Sequence, residues 1–359
     1  MLSAEIAGLA ELVRSGTRQN ERNARHISDK LDQLDAKLDA KMEEMVDALF
    51  KAQAQQGNER ASSANNKGSS SLEAMKEALP AFVIRSNDIK KMAIVGEGGF
   101  GVVHKATMKG GTQVAVKELH AHRLNRPSIK DFIKEAHILS QLKHPNVMAF
   151  YGVILEPPIY AMVIQYLGKG NMHDSLVDED KELAWSLRMR WALGLVAGVN
   201  YLHNCDPVVI HGDIKSMNVL LDVNKNAVLC DFGMANVKTE TSASTATGGG
   251  KGITVKWTPP EIFGGSKISK MSDMYSVAVT LWEIAFRELP LRHMPDPAYV
   301  VFIRGGERPP LPTREETGCP THYGKVVDAC WHQVPESRMS AEKALEELEE
   351  MLDEVHHQG

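Results

Sequence analysis

The sequence is short of cysteine: Cys205, Cys230, Cys319 and Cys330 are the only four in 359 residues, and their spacing suits no metal. So few thiols cannot staple a chain of this length, which excludes a disulfide scaffold and points to a reducing compartment. No apolar run approaches the ~20 residues of a membrane-spanning helix. Met1-Leu2-Ser3-Ala4-Glu5 has neither the basic nor the apolar region of a secretory leader. A cytoplasmic chain without a membrane span is the expectation. A large excess of one charge is absent too: a net charge of −5 leaves no footprint for nucleic acid and no polybasic attraction to an anionic membrane. What is present, 43% hydrophobic and 24% charged residues, is the composition that buries a globular core.

Proline is missing from residues 1–56, which are rich in strong helix formers. Ile27, Leu31, Leu34, Leu38, Met42, Met45 and Leu49 recur at spacings of 4, 3, 4, 4, 3 and 4, a heptad seam with one stutter. One narrow apolar stripe must find a partner. It either folds back on its own globular domain or pairs with a second copy as a coiled coil and makes a homo-oligomer. Beyond it the composition shifts to Ala, Gln, Asn, Gly and Ser, as in Ser62-Ser63-Ala64-Asn65-Asn66-Lys67-Gly68-Ser69-Ser70-Ser71. Residues 57–80 therefore read as a flexible linker, and a folded domain is expected over 81–355, its ordered part starting near Phe82.

That domain changes character along its length. From Ile89 to Lys117 the pattern is β: a strand ending near Val95, a glycine-rich turn, Val102 to Ala106, a Gly110-Gly111 turn, then Val114-Ala115-Val116-Lys117. A helix from about Ser128 to Leu142 is closed by Pro145, and two more strands run from Ala149 to Ile154 and from Tyr160 to Tyr166. After Gly170 the chain is mostly helical, with periodic runs at 184–203, 272–287 and 339–355. An α+β chain follows, with a small β-rich lobe and a larger helical one.

Gly96-Glu97-Gly98-Gly99-Phe100-Gly101, followed by Val103, is a G-x-G-x-x-G-x-V string. Such glycines also open dinucleotide-binding turns, but those need a helix directly afterwards, whereas here a strand follows. The loop caps a β-hairpin, where glycines let backbone N–H groups approach phosphate oxygens closely. Lys117 by itself reads as a solvated strand end. Glu135, eighteen residues on, sits among Phe132, Ile133, Ala136, Ile138 and Leu139 on the buried side of the predicted helix. A buried carboxylate and a buried ammonium are tolerable only if they meet.

His211-Gly212-Asp213-Ile214-Lys215-Ser216-Met217-Asn218, with Asp231-Phe232-Gly233 thirteen residues after Asn218, resembles the catalytic loop and metal-binding motif of the protein kinases. The resemblance runs from about Ile89 to Leu352 and implies a bilobal protein kinase fold, with ATP and Mg²⁺ as cofactors and protein substrates as partners. It implies that Lys117, held by Glu135, meets the α- and β-phosphates and that Asp213 accepts the proton of the attacking hydroxyl. Lys215 would offset charge on the transferring group, and Asn218 and Asp231 would hold Mg²⁺. The nucleotide would lie among Val95, Gly96, Gly98, Gly101, Val103 and Ala115 above and Leu220 below, with Gln165, Tyr166 and Leu167 as hinge and Ile164 as gatekeeper. Cys230 would face the phosphates, and His211 would pack beneath Phe232. Trp257-Thr258-Pro259-Pro260-Glu261 stands where kinases carry A-P-E; Asp273 and an Arg338–Glu261 pair would be structural.

Lys215 and Thr254 are similar to serine/threonine kinases, whereas Lys256-Trp257-Thr258, Ser272-Asp273-Met274-Tyr275-Ser276 and Cys330-Trp331 are similar to tyrosine kinases. That mixture resembles the tyrosine-kinase-like group, with its Raf-like, mixed-lineage and interleukin-receptor-associated kinases, and implies Ser/Thr specificity. Three positions depart: Gly212 for the arginine before the catalytic aspartate, Pro259 for alanine, and Met339 for proline. Without an arginine at 212, a phosphorylated activation segment loses its usual partner. Thr239, Thr241, Ser242, Ser244, Thr245 and Thr247 in that segment are either an ordinary loop or autophosphorylation targets. The competing reading of the whole chain is a pseudokinase scaffold acting through its N-terminal helix.

Overall fold

Short apolar runs punctuated by glycine turns build the sheet the sequence predicts from Ile89 onward. The computed structural model describes residues 82–98, 101–119, 126–156, 159–234, 236–238 and 255–356. The helical segment 1–56, the linker 57–80, Gly99, Phe100, Thr254 and the hydroxyl-rich run 239–247 lie outside the described residues. Strands β1 (Ile89–Gly98), β2 (Gly101–Met108), β3 (Gln113–Leu119), β4 (Phe150–Glu156) and β5 (Ile159–Gln165) form one antiparallel sheet in the order β1-β2-β3-β5-β4. Central β3 is buried on both faces, which its unbroken Val114-Ala115-Val116 run requires. Val114 and Val116 join Ala106, Ile154, Ala161 and Val163 in a core on one face, while Ala115 joins the main core on the other. Helix α1 (Arg126–Gln141) belongs to that main core through Phe132, Ile133, Ala136, Ile138 and Leu139.

The second lobe is helical: α2 (Met172–Val177), α3 (Trp185–His203), α4 (Pro260–Phe263), α5 (Lys270–Phe286), α6 (Asp296–Arg304), α7 (Arg314–Thr317), α8 (Tyr323–Cys330), α9 (Ala341–Glu350) and α10 (Leu352–His356). Short pairs β6 (Val208–Ile210) with β9 (Asn236–Lys238), and β7 (Val219–Leu221) with β8 (Ala227–Leu229), carry the loops between the lobes. Helix α5 is mostly apolar and is buried from Ser272 to Ala285, as a helix inside a core must be. Its start is set by a reciprocal cap, in which Ser269 Oγ accepts from the Ser272 N–H and Ser272 Oγ from the Ser269 N–H. Helices α3, α8 and the turn at Val255–Trp257 pack on it. The run expected over 339–355 is two helices, broken at Met351. A small sheet lobe with one helix joined to a larger helical lobe is the bilobal kinase architecture.

Candidate active site

The strand register aims Lys117 at α1. Its Nζ lies 2.7 Å from Glu135 Oε1 and 3.9 Å from Asp231 Oδ1, so three residues spread over 115 positions meet between the lobes. Burial alone would lower the Lys117 pKa; the Glu135 and Asp231 carboxylates outweigh it and hold the ammonium above its ordinary value. Lys117 is thus a fixed cation across neutral pH. Asp231 has φ of +63°, an uncommon conformation for a residue with a side chain, and its side chain is 48% exposed. Phe232 after it is buried edge-on to the His211 ring, with centroids 4.9 Å apart, as the sequence reading places them.

Asp213, Lys215 and Asn218 form a second cluster. Lys215 Nζ donates to Asp213 Oδ1 and Oδ2 at 3.1 and 2.9 Å, and Asn218 Nδ2 donates to the Asp213 carbonyl at 2.8 Å and to Oδ2 at 2.9 Å. The loop hangs from α5. Asp273 accepts the backbone N–H groups of His211 and Gly212 at 2.9 Å each, and its Oδ2 lies 3.0 Å from His203 Nε2. Gly212 has φ of +77°, so glycine here has a backbone reason beside the loss of a phosphate partner. Gly212→Ala is expected to lower stability by about 1 kcal/mol or more, read as a fall in the thermal midpoint. An alanine variant as stable as the parent would contradict a left-handed conformation at 212.

The residues expected to line a nucleotide lie around these clusters. Gly96 pairs with Val103 and Gly98 with Gly101 across the hairpin, and Ala115 pairs with Ile164 in the sheet. A Cβ on Gly101 would sit 1.9 Å from the Glu118 carbonyl oxygen, which rules out any side chain there. Leu220 is bridged to Asn171, and the Leu221 N–H donates to the Gly170 carbonyl, which fixes β7 below the hinge. Gln165 turns back on Ala149 through both backbone and side chain, and Lys105 Nζ lies 4.7 Å from the Tyr166 ring centre. Val95 sits where β1 slips register and is 49% exposed, while Leu167 is nearly buried. Cys230 is buried, and burial pushes its thiol far above the ordinary range, so it is a poor nucleophile.

The donor set fits MgATP. Asn218 and Asp231 offer oxygen ligands, the type Mg²⁺ takes alongside phosphate oxygens and water. Among the described residues no group of three or more His, Cys, Asp or Glu side chains could hold an ion unaided. Lys117 and Lys215 supply the cations that a polyphosphate needs.

Several contacts were invisible in the sequence. Met339, in place of proline, has an N–H, and it donates to the Ala329 carbonyl at 2.9 Å. Glu283, buried on α5, accepts from Ser216 Oγ at 2.6 Å and from Trp257 Nε1 at 2.7 Å. His173 Nδ1 is 3.3 Å from Ser216 Oγ and 3.7 Å from Glu283 Oε1. The pull of Glu283 holds His173 above the ordinary imidazole value; burial opposes it and Asp174 adds to it. A raised value stabilises the fold below the unfolded pKa, and the gain disappears as pH rises through the folded one. His173→Ala should therefore cost more in thermal midpoint at about pH 5.5 than at about pH 8.5; an equal cost at both would refute the charge contribution.

Comparison with known proteins closes the case for the fold. Residues 89–348 match the family model described as protein tyrosine and serine/threonine kinase. Over 265 residues, 73% of this chain, it is 36% identical to the probable serine/threonine-protein kinase drkA of Dictyostelium discoideum, covering 40% of that protein. It is 32% identical over 272 residues to the dual specificity protein kinase shkC of the same organism, covering 75% of this chain and 52% of that one. Against the serine/threonine-protein kinase CTR1 of Arabidopsis thaliana it is 32% identical over 248 residues, 68% of this chain and 29% of the relative. The chain thus spans about half or less of the length of these relatives. No helix among the described residues is long and apolar enough to cross a membrane. A glycine hairpin over a paired lysine, a loop hung from a buried helix and a matched family model covering most of the chain lead to one conclusion: this chain belongs to the protein tyrosine and serine/threonine kinase family.

Proposed function

We propose that the chain is a serine/threonine protein kinase, which moves the γ-phosphoryl group of MgATP to hydroxyl groups of protein substrates, and that its kinase domain spans 81–355. The convergence of Lys117, Glu135 and Asp231 opposite Asp213, Lys215 and Asn218 carries the reading. Lys117 binds and orients the α- and β-phosphates, and Glu135 keeps it aimed. Asp213 orients the substrate hydroxyl and takes its proton at a carboxylate oxygen. Lys215, held on Asp213, offsets negative charge on the transferring group. Asn218, whose Nδ2 is committed to Asp213, presents Oδ1 with the Asp231 carboxylate to Mg²⁺. Mg²⁺ held by Asn218 and Asp231 would offset the charge of the phosphates there. Positioning and electrostatics do most of the work, since little covalent chemistry falls to the protein.

Lys215 and the likeness to the serine/threonine-protein kinases drkA and CTR1 support Ser/Thr acceptors. The tyrosine-like features around Trp257 and Ser272 place the chain in the tyrosine-kinase-like group. A cytoplasmic location and self-association through residues 1–56 belong to the same proposal; pairing would raise the effective concentration of one kinase domain near another. The test is transfer of labelled γ-phosphate to a generic protein, followed by identification of the phosphorylated amino acids, with Asp213→Asn run beside the parent. Phosphoserine and phosphothreonine made only by the parent are expected. Equal labelling by both would point to a contaminant, and no labelling with MgATP still bound would favour a pseudokinase scaffold.

A further inference from the structure

The loop that carries Asp213 and Lys215 is fastened to α5 at both ends. Asp273 holds the backbone at His211 and Gly212. Glu283, ten residues further along the helix and so about 15 Å away, holds Ser216 at 2.6 Å. Ser216 opens a tight turn in which the Asn218 N–H donates to the Lys215 carbonyl at 2.9 Å. A shift at Ser216 therefore moves both Lys215 and Asn218.

The other oxygen of Glu283 holds Trp257 Nε1 at 2.7 Å. Trp257 lies at the end of the segment that begins at Asp231, beside Thr258-Pro259-Pro260-Glu261, and its carbonyl is fixed by Ser276 Oγ at 2.8 Å. Glu283 is only 1% exposed, so it does not meet solvent or a protein substrate directly. A carboxyl group at this depth costs more than an apolar side chain of the same size unless both oxygens are used. Here Oε1 takes Ser216 Oγ, with His173 Nδ1 3.7 Å from the same oxygen, and Oε2 takes Trp257 Nε1; Ser216 and Trp257 lie 41 residues apart.

We infer that Glu283 is a positioning residue for phosphoryl transfer: it locks the catalytic loop, through Ser216, to the distal end of the activation segment, through Trp257. The inference rests on the kinase reading above. Neither Ser216 nor Trp257 touches the reacting atoms, so each acts through the link. A link of this kind leaves a signature that separate packing roles do not. Cutting it at either end should produce the same defect, and cutting both ends should add little.

The experiment measures kcat and KM for MgATP and for a generic protein substrate, with thermal unfolding alongside, in the full chain and in Ser216→Ala, Trp257→Phe and the double variant. Each single change is expected to lower kcat by about 10-fold, the scale of a small misplacement of reacting groups, with KM for MgATP within about twofold of the parent. The double variant should lose little beyond the worse single, because both changes sever one connection. Glu283→Gln, which keeps one acceptor and replaces the other by a donor, should fall between parent and singles. Losses that multiply in the double variant, a Ser216→Ala rate equal to the parent, or rates that only follow the folded fraction would overturn the link. A parent without Asp213-dependent transfer would overturn the reading of the site and this inference with it. An active parent matched by Ser216→Ala would overturn the inference alone.

Discussion

Asp213→Asn should lower phosphoryl transfer by about 10² to 10⁴-fold, the range that a positioned proton acceptor contributes, while MgATP affinity stays near that of the parent. Asparagine preserves the size of the side chain and removes two properties together. The first is the carboxylate as proton acceptor. The second is the pair of acceptor oxygens: Lys215 Nζ now donates to both, at 3.1 and 2.9 Å, and Asn218 Nδ2 shares one of them. An amide would turn a donor toward an ammonium or toward another amide, so Lys215 would drift as well as the proton lose its destination. Nucleotide affinity should survive because Lys117 is anchored separately, by Glu135 at 2.7 Å on the other lobe. Single-turnover transfer and equilibrium binding of MgATP, measured on the same preparations, separate the two effects. Loss of binding in step with loss of transfer would show that Asp213 serves the fold and not the chemistry.

Much of this site was legible in the sequence because its parts obey local rules. The apolar run ending in Lys117 marked β3, and the Gly110-Gly111 turn excluded the helix that a dinucleotide site requires. Glu135 stood out as a lone carboxylate on the apolar side of α1, which only a buried partner explains. Asp273 and Arg338 were assigned by resemblance, since their partners lie far away in sequence. Glu283 was missed, although a signal was present: between Met274 and Ala285 on α5 it is the one ionisable carboxylate in a run that has no polar face to offer it. Its donors, Ser216 and Trp257, come from segments whose contact depends on tertiary packing, which periodicity does not encode. Gly212 shows the opposite failure. Compared with a family pattern it reads as a missing arginine, and only the backbone angle of +77° reveals what glycine permits there. Cys230 was placed by its neighbour Asp231; its thiol is buried, and the charges of Asp231, Lys117, Glu135 and Asp213 all reach it.

Glu261→Ala should cost about 3–5 kcal/mol, the usual penalty for stranding one member of a buried ion pair, and lower the thermal midpoint by about 10 °C for a domain of this size. The Arg338 side chain is 0% exposed and meets Glu261 in two parallel bonds of 2.7 Å. Its remaining partners are the carbonyls of Met271 and His332, each at 2.8 Å, and the face of Tyr275, 5.2 Å away. These orient the guanidinium without neutralising it, so removal of Glu261 leaves a positive charge beyond the reach of water. The charge, and not the geometry of the short helix α4, is then the source of the loss. A second change separates the two: adding Arg338→Met removes the stranded cation and fills the space with an apolar chain. The double variant should regain part of the lost stability, although it lacks the two carbonyl bonds and the ring contact that Arg338 keeps in Glu261→Ala alone. Urea and thermal unfolding of the three proteins would decide it. A double variant less stable than Glu261→Ala would mean that Arg338 is worth more as a bridge between Met271 and His332 than it costs as an unpaired charge.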